Sequence, residues 1–200
     1  MFMKTKELNL SKKELIKKIK LYKRLIYRNT IFKTNSKDID IQRIIKGLNI
    51  KNRKERITYV FDESCKMLDN QTKNINICGF DKNKQCIVQR NNKSNHICGC
   101  CRLCEYVTLN GCPSKNVACK LFNCSEVTKN YNTLKYKDLY LLKLLNFKQR
   151  QIIKSNYFTI REEALKDLYS YSIFYSFYRM IQRQFKRLFK KNKYLYLNKW

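Results

Sequence analysis

All ten cysteines of the 200-residue chain lie in one stretch, from Cys65 to Cys124. Its densest part contains two overlapping pairs with two residues between the cysteines, Cys98/Cys101 and Cys101/Cys104. Two thiolates at that spacing can bind one tetrahedral ion, because a turn brings both sulfurs to about 2.3 Å from the metal. The stretch therefore predicts a cysteine-ligated metal site.

The number of candidate ligands suits two ions. Cys100 and Cys101 are neighbours in the sequence, so their sulfurs cannot easily bind the same ion. His96, the one histidine of the chain, lies two residues before Cys98 and is a candidate for a site with three cysteines and one histidine. Spacing alone does not assign the ligands to individual ions. The candidate cysteines are Cys78, Cys86, Cys98, Cys100, Cys101, Cys104, Cys112, Cys119 and Cys124.

Three kinds of chemistry fit these cysteines. Structural zinc is the first, because a closed four-coordinate site can hold together a segment with little apolar periodicity. An iron–sulfur cluster is the second, since Cys98 to Cys104 repeat the C-x2-C-x2-C start of a bacterial ferredoxin pattern. The next cysteine, Cys112, follows after seven residues where that pattern has three. A reactive dithiol at Cys100-Cys101, beside the cationic Arg102, is the third.

A partial family resemblance supports the metal interpretation. The run from Gly99 to Arg102, the later Gly111-Cys112 and the segment from Ala118 to Cys124 resemble the YkgJ-type cysteine-cluster proteins, which are small bacterial proteins described as zinc- or iron-chelating. The likeness covers about residues 98–124, and Asn116-Val117 stands where the family has Arg-Pro. The resemblance implies a ligand set of Cys98, Cys101, Cys104, Cys112 and Cys119.

The charge of the chain is strongly positive. It has 44 Lys and Arg against 15 Asp and Glu, a net charge of +29. Residues 1–60 contribute 18 basic and 5 acidic side chains, residues 61–130 contribute 10 and 6, and residues 131–200 contribute 16 and 4. Such a field attracts polyanions. Nucleic acid is the favoured polyanion and a membrane surface the less favoured one. AT-rich coding explains the same composition without any binding role.

The compartment follows from what the chain lacks. The first residues are charged and show no apolar signal-peptide core, and the longest uncharged apolar run, residues 168–178, is about half the length that spans a bilayer. We therefore expect a cytoplasmic protein, whose cysteines are thiols rather than disulfides.

The fold class predicted from these patterns is mainly α. We expect helical N- and C-terminal arms around a small, loop-dominated module that metal holds together. The predicted regions are a basic helical arm at 1–56, the cysteine-rich module at 57–127 and a basic, aromatic-rich helical region at 128–200.

Local signals place the elements of the first half. Ser11 to Glu14 has the form of a capping box, and the apolar residues behind it recur at helical spacing: Leu15, Ile19, Tyr22 and Ile26. A second helix is predicted from about Lys37, with Ile41, Ile44 and Ile45 on its inner side and Gly47 as its stop. The run from Ile57 to Phe61 is β-branched and aromatic, which predicts a short strand.

In the last third, Thr159 to Glu162 forms a second capping box, predicted to open the longest helix of the chain. An apolar and aromatic stripe follows at helical spacing, which we interpret as core: Ala164, Leu168, Tyr171, Tyr175, Tyr178, Ile181, Phe185 and Leu188. An alternative function uses this region to bind nucleic acid. Residues 139–190 resemble a helix-turn-helix, and the cations that would face the phosphates are Arg179, Arg183, Lys186 and Arg187.

The sequence gives little support for catalysis. It contains no phosphate-binding glycine loop, no nucleophile elbow and no pairing of histidine with a carboxylate. Catalysis would have to come from the metal or the thiols, and the sequence favours a non-enzymatic metal-binding protein with zinc, or an iron–sulfur cluster, as the cofactor.

Overall fold

The computed structural model describes residues 4–26, 29–75, 115–123, 125–157, 159–170, 174–175, 177–183 and 185. Within these ranges the chain is mainly helical, as predicted. Two short strands are β1 (Lys4–Glu7) and β2 (Thr30–Lys33), and the first three helices are α1 (Lys12–Ile26), α2 (Ile39–Asn49) and α3 (Arg53–Ile75). After residue 115 follow α4 (Val117–Leu121), α5 (Ser125–Asn130), 3-10 turns at Tyr136–Asp138 and Tyr140–Leu144, α6 (Phe147–Ser155) and α7 (Arg161–Ser170).

The N-terminal region is a β-α-β unit. Strand β1 pairs in parallel with β2, with Lys4 opposite Thr30 and Glu7 opposite Lys33, and α1 lies between them in sequence. Parallel strands need such a crossover, because the first strand finishes at the end of the sheet opposite to the one where the second strand starts. Asn29, immediately before β2, has a φ of 57°, a left-handed conformation that Asn adopts more readily than most residues.

Helix α1 begins and is buried as predicted. The backbone N–H and the hydroxyl of Ser11 donate to the Glu14 carboxylate at 3.1 and 2.8 Å, and the Glu14 N–H donates to the Ser11 hydroxyl at 3.4 Å. This is the reciprocal bonding of a capping box. The predicted inner face is confirmed, since the buried residues of α1 are Leu15, Ile19, Tyr22 and Ile26.

A side chain takes the place of a third strand beside β2. The amide oxygen of Asn49 accepts from the Phe32 N–H at 2.9 Å, and its nitrogen donates to the Phe32 carbonyl at 2.8 Å. One side-chain amide therefore satisfies both backbone groups that Phe32 directs away from β1. Phe32 itself is fully buried against Tyr22, with ring centroids 5.2 Å apart.

Helix α2 is confirmed with its predicted inner residues, and Ile41, Ile44 and Ile45 are buried. The prediction that Gly47 ends the helix was wrong, because α2 continues to Asn49. A Cβ at Gly47 would lie 2.5 Å from Leu144 Cδ1 and 3.2 Å from the Tyr59 ring. The glycine is therefore a contact point where other elements approach α2.

The strand predicted from Ile57 to Phe61 was wrong, because these residues lie inside α3. The helix begins at Arg53, after Asn52, whose side-chain oxygen accepts from the N–H groups of Lys54 and Glu55 at 2.8 and 3.3 Å. It also runs across the predicted region boundary between residues 56 and 57. The residues that α3 buries recur at helical spacing: Ile57, Val60, Phe61, Ser64, Cys65 and Leu68.

One hydrophobic core joins the elements on both sides of the cysteine-rich stretch. It contains residues of α1, α2, α3, α4, the second 3-10 turn, α6 and α7. Its largest fully buried side chains are Phe32, Phe61, Leu15, Ile26, Ile44, Leu48, Leu139, Leu142, Leu144, Ile152, Ile153 and Leu168. The helical regions of the first and last thirds therefore form one folded unit over the described residues.

The aromatic stripe of the last third is core only at its start. Ala164 and Leu168, on α7, are buried as predicted. The prediction was wrong further along, where Tyr175, Tyr178 and Phe185 are exposed and Ile181 is partly exposed. Tyr171 and Leu188 lie outside the described residues. Residues 171–173, after the described part of α7 (Arg161–Ser170), lie outside the described residues, so the prediction that this helix is the longest of the chain stays a prediction.

Candidate metal centre

Two of the ten cysteines, Cys65 and Cys119, lie in the part of the chain that the structure describes. Cys65 is a free thiol. His96 and the remaining predicted ligands lie outside that part of the chain: Cys78, Cys86, Cys98, Cys100, Cys101, Cys104, Cys112 and Cys124. Among the described residues, no group of three or more His, Cys, Asp or Glu side chains could hold a metal ion.

Cys65 has the environment of a core residue. It lies on α3 with 3% of its surface exposed. Burial, the largest effect, raises the pKa of its thiol to about 12, and Asp69 and Asp62 act in the same direction, whereas Lys120 and Arg161 oppose it. Metal ligation needs the thiolate. Because its pKa is raised, the Cys65 thiol gives up its proton to a metal less readily than an ordinary cysteine does.

Cys119 has a different environment. It lies on the short helix α4 and is partly exposed. Asn116 begins this helix, and its side-chain oxygen accepts from the Ala118 N–H at 2.9 Å and from the Cys119 N–H at 3.5 Å. Helix α4 packs against α3, where Lys120 forms an ion pair with Asp69. Of the predicted ligands, Cys119 is the one whose position the structure gives.

Helices α3 and α4, which flank residues 76–114, pack on each other. The chain leaves α3 at Ile75 and enters α4 two residues after Lys115, and the two helices are in contact. Gln71, near the end of α3, donates to the Asn132 carbonyl at 3.0 Å and accepts from the Leu134 N–H at 2.8 Å. Residues 76–114 therefore begin and end on elements that pack on each other.

A buried polar network fixes the start of α4. The Asn116 side-chain nitrogen donates to the Asn156 carbonyl at 2.9 Å and to the hydroxyl and carbonyl of Thr159 at 2.6 and 3.2 Å. Asn116, Asn156 and Thr159 are all almost fully buried. Buried polar groups are stable when they are paired in this way, and the pairing fixes a single arrangement.

The network continues to a buried carboxylate. Asp167, on α7, has no exposed surface, and its Oδ2 accepts from Asn156 Nδ2 at 3.0 Å. Arg179 Nη1 donates to its Oδ1 at 2.7 Å, and Arg183 Nη2 donates to its Oδ2 at 3.0 Å. Two guanidinium groups thus compensate one buried negative charge.

This arrangement bears on the nucleic-acid interpretation. The side chains of Arg179 and Arg183 are each 17% exposed and are bonded to Asp167, and Arg183 also lies 3.4 Å from the Glu163 carboxylate. Lys186 and Arg187 lie outside the described residues. Helices are present at 147–155 and 161–170, as in the predicted helix-turn-helix. Binding of nucleic acid there stays a prediction.

Sequence reasoning missed the residues that hold this region together. Asn116 had a readable signal, because Asn is a preferred N-cap and a helix-forming run follows it. Asp167 had no signal, because a lone acidic residue in an amphipathic stretch is usually solvated.

Comparisons with known proteins identify no relative. No protein-family model matches the chain, no curated protein matches it, and no solved structure matches it. None of the helices in the described ranges has the length and apolar character needed to span a bilayer.

Proposed function

We propose that this chain is a metal-binding protein in which cysteines between Cys78 and Cys124 ligate zinc. The observation that carries the proposal is the confinement of nine cysteines to these 47 residues, with C-x2-C pairs at Cys98/Cys101 and Cys101/Cys104. Such pairs supply two of the four thiolates of a tetrahedral zinc site. An iron–sulfur cluster is the second candidate, supported by the C-x2-C-x2-C run.

The surroundings of the two described cysteines support this ligand set. Burial makes the Cys65 thiol harder to deprotonate, so it is left out, whereas the partly exposed Cys119 stays in. The packing of α4, which carries Cys119, on α3 also favours ligation across the segment between the two helices. Ligation across a long segment normally has an entropy cost, because the segment must be closed into a loop. Holding the two ends of the segment together reduces that cost.

The main physical effect of the metal would be to fold the segment. Structural zinc in small cysteine sites contributes roughly 10–16 kcal/mol of apparent binding free energy at neutral pH. That is of the same order as the stability of a whole domain, about 5–15 kcal/mol. A segment with few apolar residues can therefore be ordered by the metal alone.

The test is metal content and visible absorption of the full chain purified without oxygen. We expect about one or two zinc ions per chain and no visible band. Cys101→Ser and Cys119→Ser should lose metal, because each removes a ligand. Cys65→Ala is the matched control, since it removes a buried thiol from the adjoining helix, and it should keep its metal.

Two results would change the conclusion. A brown protein that contains iron and inorganic sulfide would replace zinc with an iron–sulfur cluster on the same cysteines. Metal-free protein with ten titratable thiols, or equal metal loss from Cys65→Ala and Cys101→Ser, would refute the proposed ligand set.

A further inference from the structure

The end of the described chain carries a group of exposed aromatic rings. The exposed fractions are 87% for Phe174, 54% for Phe177, 57% for Tyr178 and 56% for Phe185. Scattered exposed apolar side chains are ordinary, but several large rings within twelve residues form the kind of patch that marks an interaction surface. The structure gives these rings no cover among the described residues.

These four rings lie on one side of a helical segment, and the exposed Tyr175 of the same segment lies outside that side. Residues 174–175, 177–183 and 185 are helical. With 3.6 residues per turn, Phe174, Phe177, Tyr178, Ile181 and Phe185 fall within an arc of about 100°. Arg179 and Arg183 fall on the opposite side, roughly 180° away. We call the five-residue side the aromatic face.

The opposite side is anchored to the core. Arg179 and Arg183 bind the fully buried Asp167, and Arg183 also donates to the Asn156 side-chain oxygen at 3.1 Å. Ion pairs to a buried carboxylate fix the rotation of the segment about its axis. The aromatic face is therefore held outward by contacts behind it.

The charge of this region selects among possible occupants. From Tyr171 to Trp200 the sequence has eight Lys or Arg and no Asp or Glu. A second copy would bring the same excess of positive charge to the interface, in a chain that already carries +29. Like charges oppose that association, whereas an anionic surface attracts the region.

A lipid surface also matches the apolar side. Phe, Tyr and Ile side by side form a continuous strip that needs an apolar medium, which the interface of a bilayer provides. Nucleic acid offers separate base faces for stacking, which match single rings rather than a continuous apolar strip. An aromatic strip with flanking cations is the pattern of helices that lie in a membrane interface.

We propose that the aromatic face docks on an anionic lipid surface. The rings of Phe174, Phe177, Tyr178 and Phe185 enter the headgroup region, and the net charge of +29 attracts the chain to the anionic lipid surface. This inference is independent of the proposed metal site.

The test is co-sedimentation of the full chain with vesicles of phosphatidylcholine alone and of phosphatidylcholine and phosphatidylserine in equal parts. We expect binding to the mixed vesicles and much weaker binding to the neutral ones. The double variant Phe174→Ser/Phe177→Ser should lose at least about tenfold in affinity, since two large rings no longer enter the interface. Both rings are exposed, so circular dichroism should show an unchanged helix content.

The matched control is Ile39→Ser/Phe147→Ser, which removes two side chains that are 60% and 63% exposed elsewhere on the surface. It should bind the mixed vesicles like the wild type. Equal loss in both double variants, or no binding to the mixed vesicles, would overturn the proposal. Two further results would overturn it. In each, Phe174→Ser/Phe177→Ser keeps its vesicle binding but loses another association of the wild type, either a dimer in solution or binding to a single-stranded oligonucleotide.

Discussion

Lys23 carries a charge where the fold disfavours one. Its Nζ donates to the Leu144 carbonyl at 2.7 Å, at the end of the second 3-10 turn. Burial, followed by the nearby charges of Arg56 and Arg150, lowers the pKa of its ammonium from an ordinary 10.5 to about 8. The folded chain therefore holds this proton less tightly than the unfolded chain does.

The pH dependence of stability follows from that difference. Between about pH 8 and 10.5 the unfolded state binds the Lys23 proton and the folded state does not, so this residue makes the free energy of unfolding rise with pH. In Lys23→Met the rise should be absent. Denaturant unfolding at several pH values measures the free energy of unfolding of wild type and variant. In the difference between the two, the contributions of the buried tyrosines and Cys65 cancel. Lys20→Met, exposed on the same helix, should follow the wild type, and parallel curves for Lys23→Met would contradict the assignment.

Residue-scale predictions from sequence succeeded where a local repeat decides burial. Leu15, Ile19 and Tyr22 face inward because α1 alone determines which side they share. The role of Gly47 was predicted wrongly. A side chain there would collide with Leu144, which lies nearly a hundred residues further along the chain. A single sequence carries no sign of such a contact.

At the scale of elements, one polar network connects α4, the end of α6, α7 and the C-terminal helical segment. Asn116, at the start of α4, bonds to Asn156 at the end of α6 and to Thr159 before α7. Asp167, on α7, bonds to Asn156 and to the arginines of the C-terminal helical segment. Removing one partner of a buried charge pair leaves the other charge buried without compensation. The resulting loss of stability is larger than the net stabilisation that the pair provides.

Asp167→Asn should therefore lower the free energy of unfolding by about 3 kcal/mol. It should also release the segment at 177–183, because both arginines lose their carboxylate. Limited proteolysis measures the release, with cleavage expected in that segment before the core unfolds. Glu162→Gln, an exposed carboxylate on the same helix, should change stability by less than about 0.5 kcal/mol. Equal protease resistance in Asp167→Asn and wild type would show that other contacts hold the segment.

The missed elements have a common physical cause. Ile57 to Phe61 is β-branched and aromatic over five residues, and the helical repeat that places it in α3 emerges only over the twelve residues to Leu68. Strand β1 has no apolar alternation, since Lys4 to Glu7 are all exposed. It is a strand because β2 pairs with it, which is tertiary information.

At the scale of the whole molecule, the core contains residues from both sides of the cysteine-rich stretch. Residues of α1, α2 and α3 share it with residues of α6 and α7. The sequence predicted the helical arms, but not that they form one core, because no local pattern records which amphipathic faces meet. The candidate metal ligands, other than Cys119, lie outside the described residues.

The separation between the helical core and the candidate metal ligands predicts the response to metal removal. A chelator should abolish protection against hydrogen exchange between residues 78 and 112, because the metal is the proposed source of order there. Amides of α1, α2 and α6 should keep their protection, since their burial does not involve the cysteines. Hydrogen exchange with mass spectrometry, before and after chelation, measures both. Global loss of protection would mean that the helical core depends on the metal, and no change at all would contradict the proposed role.

The Asn49 amide has a consequence for self-association. By occupying both outward backbone groups of Phe32, it closes one edge of the sheet, so a further strand can add only beside β1. The backbone N–H groups of Lys4 and Leu8 point to β2, which leaves Thr5 and Glu7 to face outward. Antiparallel pairing of two β1 edges through Thr5 and Glu7 would set Lys6 opposite Lys6 of the other copy, or Lys4 opposite Lys6. The register of the small sheet thus acts against edge-to-edge polymerisation of this chain.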